Sequence, residues 1–271
     1  MPEDILTLPP PPADTRLHYG NAPQQFGDLR LPVEDKDAHP RGDGSPTHPS
    51  RVKDSPPHPV IVNIHGGFWR NKYDLAHAGH LCAALTRRGI ATWNIEYRRV
   101  GDEGGGWPGT FTDIRDGFRF VAQIAPKYKL DATPICVMGH SAGGQLALCL
   151  AARESIKAVS LAGVVDLQRA WQLHLSNNAA ADFLGGPPDQ VHDHYREADP
   201  MQLEVGNSEQ WLVHGAEDDT VPVTFSRDYY ERKKSGGHVH LLEIAKADHF
   251  DLIDPRSAAW PKIEELVLQL L

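Results

Sequence analysis

The chain has 271 residues, 40% of them apolar, the size of one globular domain that carries an insertion or cap. Its 36 acidic and 27 basic side chains give a formal charge of −9, and no basic block stands out, which argues against a nucleic-acid partner. No apolar run approaches the ~20 residues that cross a bilayer, so no membrane partner is expected.

Residues 1–14 hold acids and a run of prolines where a secretory leader needs a basic and then an apolar stretch. They read as an extended arm, and the protein reads as cytoplasmic. Residues 16–19 and 25–32 alternate weakly and suggest two antiparallel strands. Residues 34–58 are mostly Pro, Asp, Ser and His, with almost nothing to bury, and read as a surface insertion. Its histidines, His39, His48 and His58, have no fixed spacing for a metal.

A buried strand is expected over 59–64, running straight into His65-Gly66-Gly67-Phe68-Trp69. Residues 75–88 have helical spacing and stop at Gly89. A strand over 90–97 follows, then a glycine-rich loop over 98–109. That loop lacks the G-K-[ST] of a phosphate cradle. A helix over 110–125 and a turn over 131–133 lead into Ile135-Cys136-Val137-Met138, a short buried strand. This strand breaks at Gly139-His140-Ser141-Ala142-Gly143 into a helix over 145–153.

Further on, a strand over 158–162 precedes residues 166–206, where aromatic residues are spread among glycines, prolines and polar groups. This stretch reads as a small cap. A strand over 210–214, a helix over 222–233, a strand over 238–244 and an amphipathic helix over 258–271 complete the chain. Strands alternating with helices imply an α/β fold with a mostly parallel, doubly wound sheet, helices on both faces, and one domain over 1–271. Cys82, Cys136 and Cys149 each lie in an apolar pattern and read as reduced core residues.

The strand–turn–helix around Ser141 is the G-x-S-x-G pattern in the setting that gives it meaning. Glycines two residues either side let strand and helix approach closely. The tight turn lifts the serine hydroxyl above the sheet edge. The N–H of Ala142 opens the helix, where unpaired donors favour an anion. On these residues the chain resembles the α/β-hydrolase family of serine hydrolases.

That resemblance implies an acid and then a histidine later in the chain. His214-Gly215-Ala216-Glu217-Asp218-Asp219-Thr220-Val221-Pro222 resembles the family's H-G-x-x-D-x-x-V-P segment, which implies Asp218 as the acid. Asp219 and Asp166 are its rivals. Ala247-Asp248-His249-Phe250 follows the last strand, where the family carries its histidine. Gly67 and Phe68 are implied as oxyanion donors with Ala142. His65 reads as a brace for that loop, and His214 as structural. His238 and His240 read as strand-face residues, while His192 and His194 read as surface residues of the cap. No metal or organic cofactor is required.

The H-G-G-x-W loop, with Glu96-Tyr97-Arg98-Arg99, is similar to the arylformamidase (kynurenine formamidase) branch and the neighbouring carboxylesterases. The resemblance implies a serine esterase that forms an acyl-enzyme on a small-molecule ester. The alternatives are a formamide hydrolase and a non-catalytic binding protein on the same scaffold. A prolyl-oligopeptidase would need a gating domain for which this chain has no room, and no long apolar lid suggests a triacylglycerol lipase.

Overall fold

A computed structural model of the chain describes residues 5–33 and 56–271. The insertion expected over 34–58 therefore lies outside the described residues except at its end, where His58 already begins a strand. Eight strands form one sheet: β1 (Thr15–His18), β2 (Phe26–Arg30), β3 (His58–Ile64), β4 (Ala91–Ile95), β5 (Leu130–His140), β6 (Lys157–Leu161), β7 (Gln210–Gly215) and β8 (Val239–Ile244). Their order is β1-β2-β4-β3-β5-β6-β7-β8. β2 pairs antiparallel with both β1 and β4. Every pairing from β4 across to β8 is parallel. This is an α/β-hydrolase fold, as the alternation of elements implied.

The central strands are apolar on both sides, as a covered parallel sheet requires. Val60, Val62, Ile64 and Val137 join one core with Ile114 and Val121 of helix α2 (Gly109–Tyr128) and Leu146 and Leu150 of α3 (Ala142–Glu154). Ile61, Cys136 and Met138 point the other way. They join a second core with Leu81 and Leu85 of α1 (Gly79–Arg87) and Ile263 and Val267 of α8 (Trp260–Leu270). The period-two alternation of the strands thus sets which helix covers which face.

Strand order places the site. From β3 the chain passes through α1 to β4 on one side, then through α2 back across β3 to β5 on the other. The crossovers diverge between β3 and β5. A crevice forms at the carboxyl ends of strands where such a reversal occurs. The loop after β3 and the turn after β5 meet there.

Two expectations shift. The turn expected over 131–133 is part of β5, whose register against β3 slips between Pro59 and Val60, pairing with Asp131 and Ile135 respectively. The helix expected over 75–88 is split into a 3-10 turn, Leu75–Ala78, capped by Asp74, and then α1. Residues 166–206 fold as three short helices, α4 (Leu167–Gln172), α5 (Ala179–Leu184) and α6 (His192–Ala198), plus a 3-10 turn at Pro200–Gln202. Between β7 and β8 lies α7 (Thr224–Lys233). No helix among the described residues is long and apolar enough to cross a membrane.

Candidate active site

Ser141 stands between β5 and α3 with φ 55° and ψ −119°, a conformation a non-glycine residue holds only when its surroundings impose it. The impositions are visible. Its N–H donates to Leu161 O at 2.8 Å, and its carbonyl accepts from Gly144 N at 2.9 Å. A Cβ at Gly139 would overlap the Gly143 carbonyl, and one at Gly143 would overlap the Ile64 carbonyl oxygen. The two glycines of the motif are thus required by backbone contact. Among the described residues the Ser141 hydroxyl makes no hydrogen bond within the structure, and it lines a cavity of about 340 Å³.

His249 lines the same cavity. Its Nδ1 lies 2.7 Å from Asp218 Oδ2. A carboxylate only accepts, so Nδ1 carries the proton. Among the described residues Nε2 has no hydrogen-bond partner. Asp218 Oδ1 accepts from Thr220 N at 2.9 Å and Val221 N at 2.8 Å. Its Oδ2 also lies 3.3 Å from His214 Nε2. Burial pushes this carboxyl up, but the hydrogen bonds from His214 and His249, the charge of His249 and the Val221 N–H outweigh it and hold the group well below the usual carboxylate range.

The rivals lie elsewhere. Asp166 caps α4, accepting from Arg169 N at 2.8 Å. Asp219 is exposed and, among the described residues, accepts only from Thr220 Oγ1, at 3.3 Å. His214 is fully buried. Its Nε2–H donates to Val221 O at 2.8 Å, and its Nδ1 meets the Ser226 hydroxyl at 2.7 Å. It therefore holds the strand-end loop that presents Asp218.

The loop after β3 closes the other side. Gly67, Phe68 and Trp69 all have positive φ, at 112°, 49° and 57°. A Cβ at Gly66 would come within 3.1 Å of the Ser141 Cβ, so only glycine lets the loop lie against the serine. Gly67 and Phe68 line the cavity. Among the described residues their N–H groups donate no hydrogen bond, and neither does that of Ala142, whose place at the start of α3 leaves it no partner within the helix.

Buried groups hold this loop from behind. His65 Nδ1 lies 2.8 Å from Gly66 O, its Nε2 lies 3.1 Å from Glu96 Oε1, and the Tyr97 ring stacks on it at 4.4 Å. Tyr97 OH donates to His65 O at 2.8 Å. Glu96 also accepts from the main chain of Leu75 and Tyr97, each at 3.0 Å, and pairs with Arg99 at 3.0 Å. Burial pushes the Glu96 carboxyl up, while His65, Arg99 and the Leu75 N–H together hold it down. In the sequence Glu96 stood out only as part of the segment Glu96-Tyr97-Arg98-Arg99 that resembles the family. The available signal was a glutamate at the end of a strand flanked by Trp93, Ile95 and Tyr97, where burial requires that it be paired.

Two more histidines line the cavity. Burial and then the neighbouring His65 push His77 down to about 3, so the ring is neutral. Burial, His249 and His77 push His140 well down too. The His140 Nε2–H donates to His249 O at 2.9 Å and its ring lies 4.5 Å from that of His249, fixing the main chain that carries it. On the rim, Arg70 reaches Asn177 O at 3.0 Å and Asp182 Oδ2 at 2.7 Å. It thereby ties the loop after β3 to the segment over 166–206, which contributes Ser176 and Asn177 to the lining. His192 and Asp193 are exposed, while His194 bonds Leu184 O at 2.6 Å. His240 stacks on Trp211 at 4.5 Å. No group of three metal-ligating side chains occurs among the described residues.

A family model described as BD-FAE matches residues 48–232. A curated relative from Oryza sativa subsp. japonica, a probable isoprenylcysteine alpha-carbonyl methylesterase, is 29% identical over 139 residues, covering 51% of this chain. The match spans only 28% of that relative's own length. Among solved structures, a truncated carbohydrate esterase from gut microbiota superposes with a TM-score of 0.75 at 18% identity, over 97% of this chain and 99% of that one. A thermophilic esterase from Thermogutta terrifontis, with propionate bound, gives 0.71 at 22% identity, over 95% and 93%.

Proposed function

Since this chain belongs to the BD-FAE family, we propose that it is a serine hydrolase cleaving carboxylic esters of small molecules through Ser141, His249 and Asp218. One observation carries the reading. The imidazole of His249 is held by an ionised carboxylate at one nitrogen and shares a cavity with a strained serine. The printed descriptions of the relatives, a methylesterase and esterases, support the same chemistry.

His249 Nε2 takes the Ser141 proton as Oγ bonds to the substrate carbonyl carbon. The carbonyl π pair moves to oxygen, and the N–H groups of Gly67, Phe68 and Ala142 donate to the resulting oxyanion, each contributing about 3 kcal/mol. Asp218 fixes the tautomer of His249 and stabilises its cation. The imidazolium then protonates the departing alcohol as the carbon–oxygen bond breaks, leaving an acyl-Ser141. Water, deprotonated by the same nitrogen, attacks the acyl carbon, and the serine leaves with the proton. A hydroxyl with no hydrogen bond to its base is compatible with this, because catalytic contacts often tighten only around substrate.

Formamide cleavage uses the same steps, with an amine as leaving group, and the H-G-G-x-W loop at His65 to Trp69 favours it as the second reading. Turnover of p-nitrophenyl acetate beside N-formylkynurenine separates the two. The ester is expected to be faster in kcat/KM. A reversed order moves the activity to the formamide, and activity on both that survives Ser141→Ala overturns the serine mechanism altogether.

A further inference from the structure

The cavity has a wall from an unexpected source. Leu6, in the N-terminal arm, lines it together with Ser141 and His249. The arm lies outside the stretch that the family model covers. Its described part is fastened at several points from Ile5 to Asp14. Ile5 is 1% exposed and packs in the core that holds Leu81 and Ile61. The His80 Nε2–H donates to Leu8 O at 3.3 Å, and Arg30 Nη2 donates to Pro11 O at 2.9 Å. A Cβ at Gly79 would lie 2.5 Å from the Pro10 Cβ, so α1 opens on a glycine where the arm crosses it. Asp14 then ties the arm to β2, its N–H donating to Leu29 O at 3.0 Å.

Four consecutive prolines, Pro9 to Pro12, each fix φ near −65°, so little freedom remains between these fastenings. Leu6 is thus held between Ile5, in the core, and Leu8, whose carbonyl His80 bonds. It packs, with Phe250, on the α1/α8 core. Phe68 packs on the opposite core. The cavity thus opens between the two faces of the sheet, and the arm supplies part of the apolar wall on one of them.

We infer that the N-terminal arm is a specificity strap, with Leu6 setting the size of the substrate group that fits beside Ser141. The inference rests on the ester-hydrolase reading. A group that overfills a close-packed apolar wall pays for it in transition-state binding. One methylene in such a pocket discriminates roughly 10- to 200-fold.

The test compares Leu6→Ala and Leu6→Trp with wild type on p-nitrophenyl acetate, butyrate and octanoate, and on acetates of phenol and naphthol. Leu6→Ala is expected to raise kcat/KM for the larger members of one series, relative to acetate, by about tenfold. Leu6→Trp is expected to lower that ratio by a similar factor. Leu8→Ala, a change on the same arm outside the lining, is expected to leave the ratio alone. Unchanged ratios in both Leu6 variants overturn the strap, as does an equal shift from Leu8→Ala, which would signal general loosening.

Labelling of Ser141 by ethyl and by decyl fluorophosphonates separates failure of the strap from failure of the ester reading. If wild type turns over no ester, a decyl-to-ethyl labelling ratio that rises in Leu6→Ala still supports the strap, and a flat ratio removes it. Absence of both turnover and labelling sinks the two together.

Discussion

His65 and His249 are both buried histidines facing a carboxylate, 31 residues from it in sequence, and they are equipped for opposite tasks. His249 has one nitrogen committed, to Asp218 at 2.7 Å, and among the described residues the other has no partner while its ring borders the cavity. Both nitrogens of His65 are committed, to Glu96 at 3.1 Å and Gly66 O at 2.8 Å, and a tyrosine covers its face. A histidine–carboxylate pair is thus no signature of a base. On the proposed mechanism, what separates base from brace is a nitrogen left open toward the cavity.

That contrast fixes the order of expected effects. His249→Ala should cost the most, about 10⁵- to 10⁶-fold in kcat on p-nitrophenyl acetate, with the thermal melt nearly unchanged. His65→Gln should show the reverse profile, a loss of about 1–3 kcal/mol in urea-unfolding stability with a much smaller fall in kcat. Equal catalytic losses in the two variants would erase the distinction drawn between them.

Next in size is Asp218→Asn, expected to lower kcat by about 10⁴-fold, because the amide presents the wrong partner to Nδ1. Asp166→Asn and Asp219→Asn should leave kcat within a few-fold, and a larger loss from either would move the acid there. The same carboxylate gives a pH test. Its folded pKa lies below the unfolded value of about 3.9, so its stabilising contribution is complete above that pH and is lost as pH falls toward the folded value. The stability gap between wild type and Asp218→Asn should therefore stay level from pH 6 to about pH 4.5 and narrow as the pH falls below about 4. A gap that widens on acidification would mean the group is not ionised in the folded protein.

Glu96→Gln sharpens the brace side of the contrast. The glutamate accepts from His65, Leu75 N, Tyr97 N and Arg99, and losing its charge should cost about 1–3 kcal/mol of stability. The smallest effect is expected from Arg70→Gln, which frees the Ser176–Asn177 turn from the loop after β3. KM should rise a few-fold with kcat preserved, read from initial rates on p-nitrophenyl butyrate.

How much of this the residues announced depends on whether the information is local. The turn at Ser141 was legible because strand, glycines and helix all lie within twenty residues and each constrains the next. The contact of Asp218 with His249 was legible from their places after strands β7 and β8, together with the spacing to Val221-Pro222. The role of Glu96 was hidden because its partners come from residues 65, 75 and 99, brought together only by pairing of β3 with β4. The cap resisted because α4, α5 and α6 are only six or seven residues each, too short for a helical period to emerge. Leu6 was hidden in a proline-rich arm whose composition says extended but not where it lies. The β5 irregularity at 131–133 looked like a turn because a bulge and a turn use the same polar residues.

Peptide mapping after reaction with a small fluorophosphonate tests the central claim most directly. One adduct per chain is expected, on Ser141, and it should vanish in His249→Ala protein that melts like wild type. An adduct on any other residue, or labelling of Ser141 that persists undiminished without the imidazole, would contradict a serine activated by His249.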